Sequence, residues 1–203
     1  MKITINTPFK KFIDIKTATK LTNNVFDMEK NHINIDRACF DIELRKILVI
    51  LFEEIITAYC KETTLKQTII VTPDNMRLTF GLTPVMSVVA YRLNTNLAVW
   101  KELGNFHKYE DIIFGNTDQC FNAIIVQDII NYGGTFFRMS DELNKTNWKI
   151  QKYYSLFAIR FDGFLYENNL AEIKNNISNI YNKNIFKIEP IIILELNEKI
   201  NNG

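Results

Sequence analysis

One stretch, from Phe121 to Glu142, constrains the fold of this chain most strongly, and it reads FNAIIVQDIINYGGTFFRMSDE. The apolar run 123–126 is typical of a strand buried on both faces, and the polar pair Gln127-Asp128 is predicted to end it. The following Gly133 and Gly134 allow backbone N–H groups to approach a ligand closely. A strand, a glycine turn and a helix N-terminus can form an anion cradle, although an ordinary strand-to-helix turn has the same pattern.

Apolar periodicity on both sides of this stretch predicts alternating strands and helices. Apolar residues at spacings of three and four predict a long helix from Asp36 or Asp41 to about Lys61. The pair Thr83-Pro84 is predicted to begin another helix, with Thr83 as its N-cap. Such alternation favours a parallel sheet covered by helices, with ligands at the carboxyl ends of the strands. The predicted strands are 67–72, 96–101, 123–126 and 153–162, and the other predicted helices are 83–93 and 135–145.

The two ends of the chain and one internal segment have weaker patterns. Residues 1–35 contain only short β-like pieces and are predicted to lie outside the main sheet. Residues 101–119 have no sustained period and are predicted to form a functional loop. A helix after Gly163 and a strand over 185–196 follow, with Pro190 limiting that strand to an edge, a bulge or two pieces. No low-complexity linker interrupts the chain, so a single domain is expected, with an N-terminal hood region (1–35), a core (36–163) and a C-terminal helix and strand (164–203).

Composition argues against several classes of protein. The 203 residues are enough for one α/β domain with a sizeable core. The net charge of +1 provides no global field for nucleic acid or an anionic membrane. The chain lacks a membrane-length apolar run and a signal-peptide pattern, which predicts a cytoplasmic protein. Cys39, Cys60 and Cys120 are too widely spaced for a zinc site or a disulfide framework and are predicted to be buried or incidental thiols.

Residues 124–135 resemble the phosphoribosyl-pyrophosphate signature of type I phosphoribosyltransferases. In that signature an apolar strand leads into two acidic residues, a short variable segment and Gly-Gly-Thr or Gly-Gly-Ser. Asp128 and the segment Gly133-Gly134-Thr135 match it. Gln127 stands where the first acidic residue is usual, and Tyr132 stands where threonine is usual.

The resemblance covers roughly residues 35–163, and its layout is closest to that of orotate phosphoribosyltransferases. The segment 34–37 is similar to the one before that family's first long helix, and 81–84 is similar to the junction after its pyrophosphate loop. Residues 99–102 align with a strand end that reads Arg-Lys-Glu in the family. Trp100 replaces the arginine there, and Gly104 replaces the lysine of the mobile loop. The resemblance implies a parallel central sheet flanked by helices, with a small hood.

The resemblance also implies a reaction and a cofactor. It implies that the chain is a divergent enzyme that binds phosphoribosyl pyrophosphate with Mg²⁺. The enzyme would transfer ribose 5-phosphate to an orotate-like nitrogenous base or to another acceptor. Asp128 would face the ribose or the waters of the metal, and Gln127 would hydrogen-bond ribose hydroxyls. The residues implied to hold the 5′-phosphate are Asn131, Tyr132, Gly133, Gly134 and Thr135.

The remaining site residues are assigned by their positions in the resemblance. Lys101 would contact pyrophosphate, and Arg77 is placed in the pyrophosphate loop. The family also implies a homodimer, in which Lys108 would act across the interface. Trp100 is a candidate for stacking on the base, with packing at a strand end as the alternative.

A non-catalytic function remains open beside the enzyme. Gln127 brings no negative charge to a cationic sugar, and the missing loop lysine removes a contact to pyrophosphate. Both departures favour a relative that binds nucleotide or sugar phosphate as a regulatory or interaction module. Asp128 and the segment 133–135 are required by either function. A nucleic-acid module is disfavoured by the balanced charge and by the absence of a basic stripe interleaved with aromatic residues.

Overall fold

The structure is a computed structural model, and it describes residues 2–27, 32–60, 65–74, 80–101, 112–114, 122–130, 139, 143, 146, 148–160 and 191–197. The helices in this part of the chain are α1 (Ile15–Val25), α2 (Asp36–Phe40), α3 (Ile42–Tyr59) and α4 (Thr83–Arg92), with a short 3-10 helix at Thr7–Phe9. The strands are β1 (Lys2–Ile5), β2 (Phe26–Asp27), β3 (His32–Ile33), β4 (Thr68–Asp74), β5 (Asn96–Lys101), β6 (Ile112–Phe114), β7 (Asn122–Ile130), β8 (Lys149–Arg160) and β9 (Ile191–Asn197).

Seven of these strands form one mixed sheet in the order β1-β9-β8-β7-β4-β5-β6. The five inner strands are parallel, whereas β1 and β6 are antiparallel at the two edges. The chain places β5 on one side of β4 and β7 on the other, so the strand order reverses between β4 and β7. In open α/β sheets this switch point is where ligands bind, beyond the carboxyl ends of the strands.

Both faces of the central strands are buried, as expected of parallel strands covered by helices. Ile70 of β4 and Ile124 of β7 belong to a core cluster that also includes residues of α1, α3 and α4. Their sequence neighbours Ile69 and Ile125 belong to a second cluster on the opposite face. The second cluster also contains Met139 and Leu143, which have helical backbone and lie within the predicted helix 135–145. The rest of that predicted helix lies outside the described residues.

The long predicted helix is divided in two at Asp41. The Asp41 carboxylate accepts hydrogen bonds from the N–H groups of Glu43 and Leu44, at 2.9 and 2.8 Å. Asp41 therefore ends α2 and caps the N-terminus of α3, an interaction worth about 1 kcal/mol. The buried face of α3 includes Leu48, Phe52 and Ile55, which packs the helix on the sheet.

Several predicted elements are confirmed with small changes in their bounds. The strand 96–101 is found as predicted, and the helix predicted at 83–93 ends at Arg92. The strands predicted at 67–72 and 153–162 are Thr68–Asp74 and Lys149–Arg160. The N-cap of α4, however, is Leu82 and not Thr83, and no side chain caps this helix. Thr83 follows as the first helical residue.

The predicted end of the strand at Gln127-Asp128 is wrong. Strand β7 continues to Ile130, because Ile129 and Ile130 pair with Phe157 and Ala158 of β8 and their side chains pack against the two core clusters. The pattern of side chains signalled a polar interruption, but backbone pairing with β8 overrides it. Asp128 consequently lies within the sheet and not in the turn after it.

Residues 1–35 were predicted to lie outside the main sheet, which is wrong for β1 but correct for β2 and β3, which form a separate two-stranded sheet. Strand β1 pairs with β9 at the sheet edge, in a register that joins Ile5 to Leu194. This partner lies far along the chain, so local periodicity gives no sign of the pairing. Helix α1 was not predicted, although Asp14 caps it by accepting from the Thr17 N–H at 2.8 Å.

Two further expectations about strands need correction. The segment 101–119, predicted to be a loop, contains the short edge strand β6. The terminal strand begins directly after Pro190 and lies between β1 and β8, so it is an inner strand and not an edge. The predicted helix after Gly163 lies outside the described residues. Within the described ranges, no helix is both long enough and apolar enough to span a membrane.

Candidate functional site

The carboxyl ends of β4, β5 and β7 lie together along the C-terminal edge of the sheet, beside the switch point. β4 ends at Asp74 and β5 at Lys101, and these two residues occupy the same register position on adjacent strands. The Lys101 Nζ lies 3.7 Å from the Asp74 Oδ2, with the Asp74 side chain 9% exposed. Lys101 is thus oriented by a carboxylate, and its ammonium remains partly exposed at the strand end.

Asp128 lies at the same edge, on β7. Asp74 and Asp128 are each three residues beyond Val71 and Ile125, the last paired residues of these two strands. The Asp128 carboxyl is partly buried, and its Oδ1 accepts from the N–H of Ile129 at 2.8 Å. Loss of hydration raises the pKa of Asp128 to about 6, although backbone N–H groups oppose the rise. At neutral pH this carboxylate is mainly ionised but poorly hydrated, which suits it to bind hydroxyl groups or a cationic sugar.

Gln127 points away from Asp128, as neighbouring residues in a strand do. Its side chain is 6% exposed, and its amide oxygen accepts a hydrogen bond from the Tyr153 hydroxyl. Its amide nitrogen donates to the Ile129 carbonyl at 2.7 Å. Tyr153 belongs to the second core cluster. This arrangement disagrees with the predicted contact between Gln127 and ribose hydroxyls.

Trp100 is also part of the core. Its side chain is fully buried in the second cluster, so neither face of the indole ring is open to a ligand. The indole N–H has no hydrogen-bond partner among the described residues. The alternative of packing is therefore correct, and the predicted stacking on a base is not supported.

Helix α2 brings a third acidic group, Asp36, to this edge, which sequence reasoning missed. Burial raises the pKa of Asp36, an effect that the Phe80 N–H opposes and the nearby Asp74 charge reinforces. The charge of Asp36 in turn contributes to the raised pKa of Asp128. Asp36 therefore lies within electrostatic range of both Asp74 and Asp128. The only available signal was the similarity of residues 34–37 to a family segment, and it assigned no role to Asp36.

Cys39 follows one helical turn after Asp36 and is fully buried. Burial raises the pKa of its thiol to about 12, with smaller contributions from the charges of Asp36 and Asp128. A thiol with this pKa stays protonated at neutral pH, so it is neither a nucleophile nor a metal ligand. The prediction of a buried thiol is confirmed for this residue.

The turn at Phe80-Gly81, where the described chain resumes after β4, requires glycine. Gly81 has φ = +54°, and a Cβ at this position would lie 2.9 Å from the carbonyl oxygen of Pro73. Both the left-handed backbone and the close approach to β4 exclude a larger residue without a shift of the chain. The glycine holds the start of α4 against the end of β4.

The remaining predicted site residues lie outside the described part of the chain. They keep the status of predictions, and they are Arg77, Lys108, Asn131, Tyr132, Gly133, Gly134 and Thr135. Two cavities lined by described residues, of about 510 and 490 Å³, lie elsewhere. One is lined by β1 and the start of α1, and the other lies between α3 and α4.

The donor groups at this edge determine whether it could hold Mg²⁺. Carboxylates are suitable ligands for this hard cation, and Asp74 and Asp128 stand on the two strands that flank the switch point. Within the described ranges, however, no three His, Cys, Asp or Glu side chains are grouped closely enough to hold a metal ion. Such a donor set would suit only a cation that keeps most of its waters and is held mainly by the phosphates of a ligand.

Comparison with solved structures finds proteins that share this architecture. An orotate phosphoribosyltransferase from Aeropyrum pernix gives a TM-score of 0.56 at 13% identity, over 87% of this chain and 91% of that one. An adenine phosphoribosyltransferase from Leishmania donovani gives 0.57 at 11% identity, over 92% and 86%. Another from Trypanosoma brucei, in complex with AMP, pyrophosphate and ribose-5-phosphate, gives 0.55 at 12% identity, over 93% and 84%. No protein-family model and no curated protein sequence matches the chain.

Proposed function

Because the chain has the type I phosphoribosyltransferase fold, we propose that it binds phosphoribosyl pyrophosphate at the switch point and transfers ribose 5-phosphate to a nitrogenous base. The observation that carries this proposal is Asp128, a poorly hydrated carboxylate at the carboxyl end of β7. Lys101 lies at the end of β5, which is separated from β7 by β4. An anionic group and a cationic group are thus both present at the edge where the fold binds ligands.

The proposed reaction gives these two residues opposite tasks. The bond between C1 of the ribose and the pyrophosphate oxygen breaks, and the acceptor nitrogen bonds to C1 and then loses its proton. Positive charge develops on the ribose ring and negative charge on the departing pyrophosphate. Asp128 stabilises the sugar, whereas Lys101 stabilises the leaving group. Partial burial strengthens both effects, because little water screens the charges.

Mg²⁺ is part of this proposal. Asp128 would hold the waters of this cation, which would supply positive charge to the pyrophosphate leaving group. Asp74 orients the Lys101 ammonium at the strand end. The predicted 5′-phosphate segment 131–135 and Arg77 complete the proposed site. The proposed homodimer, with Lys108 acting across its interface, follows from the same resemblance.

A second candidate is a non-catalytic protein of this fold that binds a nucleotide or sugar phosphate as a signal. The observation that favours it is the position of Gln127, whose amide is engaged with Tyr153 and the Ile129 carbonyl in the core. The described site thus presents one carboxylate from this part of β7, where the family signature has two consecutive acidic residues. Binding requires less stabilisation of a cationic sugar than catalysis does.

Pyrophosphate release distinguishes the two candidates. The protein is incubated with phosphoribosyl pyrophosphate, Mg²⁺ and each of a panel of bases that includes orotate and adenine, and binding is measured in parallel by calorimetry. Release that depends on one base and is lost in Asp128→Asn supports the enzyme. Saturable binding with no release above background for any base supports the second candidate. Absence of binding contradicts both.

A further inference from the structure

The short helix α2 makes three separate contacts with the dipeptide Phe80-Gly81. The Asp36 Oδ1 accepts from the Phe80 N–H at 3.0 Å. The Cys39 thiol donates to the Gly81 carbonyl oxygen at 3.2 Å. The Phe40 and Phe80 rings meet edge to face, with their centroids 5.8 Å apart. The Phe80 N–H and the Gly81 carbonyl are thus both hydrogen-bonded to side chains of α2, and the ring contact joins the same two segments.

The same dipeptide is held from the other side by the sheet. Gly81 approaches the Pro73 carbonyl so closely that no side chain fits there. Pro73 directly precedes Asp74, the carboxylate that pairs with Lys101. A displacement of Phe80-Gly81 toward β4 would therefore press on the strand end that carries this ion pair, and the hydrogen bonds from α2 oppose movement of the dipeptide.

Asp36 has an additional effect through its charge. The charge of Asp74 raises the pKa of Asp36, and the charge of Asp36 raises the pKa of Asp128. Among the described residues, Lys101 at the end of β5, Arg45 of α3 and the protonated Cys39 are further charged or titratable groups in this region. The hydrogen bond of Asp36 thus orders the turn, whereas its negative charge disfavours an anion bound at the same edge.

We propose that Asp36 is a positioning residue that fixes the Phe80-Gly81 turn at the edge of the site, so that the affinity for a pyrophosphate-bearing ligand depends on helix α2. The part of this inference that concerns ligand affinity rests on the proposed function. The part that concerns the turn does not depend on any ligand. Substitution separates the two effects of Asp36, because asparagine keeps an acceptor oxygen at the same place but removes the charge.

Amide hydrogen exchange at Phe80 in the ligand-free protein tests the turn directly. Removing a charged acceptor from an N–H group corresponds to at least about tenfold faster exchange, so Asp36→Ala is expected to show this increase. Asp36→Asn is expected to stay within about threefold of the unsubstituted protein, because a neutral acceptor retains much of the hydrogen bond. Asp14→Ala is the control, since Asp14 also accepts a hydrogen bond from a backbone N–H, that of Thr17, but lies on another element, at the N-cap of α1.

Affinity for inorganic pyrophosphate, measured by calorimetry without metal, tests the charge. Asp36→Asn is expected to bind about three- to tenfold more tightly than the unsubstituted protein, because a nearby like charge is removed. Asp36→Ala is expected to bind more weakly than Asp36→Asn, since it loses the ordered turn. If Asp36→Ala does not fold, Phe40→Ala removes an exposed ring from the same contact and is expected to accelerate exchange at Phe80 by a smaller factor.

The outcomes separate this inference from the proposed function. If no variant binds pyrophosphate or phosphoribosyl pyrophosphate, the proposed function fails, while faster exchange in Asp36→Ala still supports the positioning of the turn. If ligands bind but exchange at Phe80 is the same in Asp36→Ala and in the control, the positioning role is refuted. Equal pyrophosphate affinities in Asp36→Asn and Asp36→Ala also refute it, because the turn would then have no influence on the site.

Discussion

Replacement of Asp128 by asparagine is expected to stabilise the folded protein while weakening the site. Asn keeps an oxygen that can accept from the Ile129 N–H, the hydrogen bond that Asp128 makes at 2.8 Å. It removes a carboxylate whose pKa is raised from its ordinary value of 3.8 to about 6, chiefly by loss of hydration. Ionisation of this group therefore opposes folding, and asparagine eliminates that penalty.

The magnitude and its pH dependence follow from the two pKa values. When the folded pKa is the higher one, the group is protonated in both states below about pH 4, and its destabilising effect grows as the pH rises to about 6. A difference of roughly two in pKa corresponds to about 3 kcal/mol, and partial exposure reduces this to about 2 kcal/mol. The gain from Asp128→Asn is thus about 2 kcal/mol at pH 8 and roughly half of that at pH 5.

Urea unfolding of both proteins at pH 5 and pH 8 measures this gain. The control is Asp14→Asn at the N-cap of α1, where hydrogen bonds from Thr17 lower the pKa of the carboxyl. A lowered folded pKa contributes stability above the ordinary value, so this variant is expected to lose stability at both pH values. A gain for Asp128→Asn that is independent of pH, or a loss of stability at pH 8, would refute the assignment of a poorly hydrated carboxylate at this position.

Three other substitutions test separate parts of the structure. Gly81→Ala is expected to lower the free energy of unfolding by about 1–3 kcal/mol in urea denaturation, because φ is +54° and the new Cβ meets the Pro73 carbonyl. An unchanged free energy of unfolding would contradict the left-handed turn described at Gly81. Gln127→Glu places a carboxylate in the core beside Tyr153, so the free energy of unfolding is expected to fall by about 2–4 kcal/mol at pH 8. Pyrophosphate release is not expected to become faster, and increased release would show that this side chain reaches the ribose. Lys101→Met is expected to weaken pyrophosphate binding by about tenfold, because a charged contact to the ligand is lost. An unchanged affinity in calorimetry would show that Lys101 does not contact pyrophosphate.

The inner part of the fold was predictable because each element carries its own local signal. The apolar run of β7 and the proline at the start of α4 are typical of the structures that they form. Parallel pairing of β4 with β5 and β7 followed from the alternation of strands and helices. The type I phosphoribosyltransferase fold was indicated by the glycine-containing motif and is confirmed by the structural comparisons.

The elements that were missed depend on contacts between distant parts of the chain. Strand β1 is held by β9, and the extension of β7 to Ile130 is held by β8. The local sequence pattern of a strand does not show which distant strand it pairs with. The same limit explains the site: the motif places Gln127 and Asp128 side by side, but the pleat of the strand sends them to opposite faces.

Asp36 was missed as a site residue for a related reason. It lies at the start of α2, far along the chain from Asp74 and Asp128, and only the folded structure brings it near each of them. Trp100 shows the opposite case, in which an aromatic residue at a strand end suggested a ligand contact. The second core cluster extends to the end of β5 and encloses its ring.

Calorimetric titration with phosphoribosyl pyrophosphate in the presence of Mg²⁺ tests the central proposal most directly. The unsubstituted protein is expected to bind saturably, Asp128→Asn to bind at least about tenfold more weakly, and Asp14→Asn to bind as the unsubstituted protein does. Loss of affinity in Asp128→Asn, combined with its greater stability at pH 8, would place the ligand at the carboxyl end of β7. Absence of binding, or equal affinity in Asp128→Asn, would contradict the proposed site.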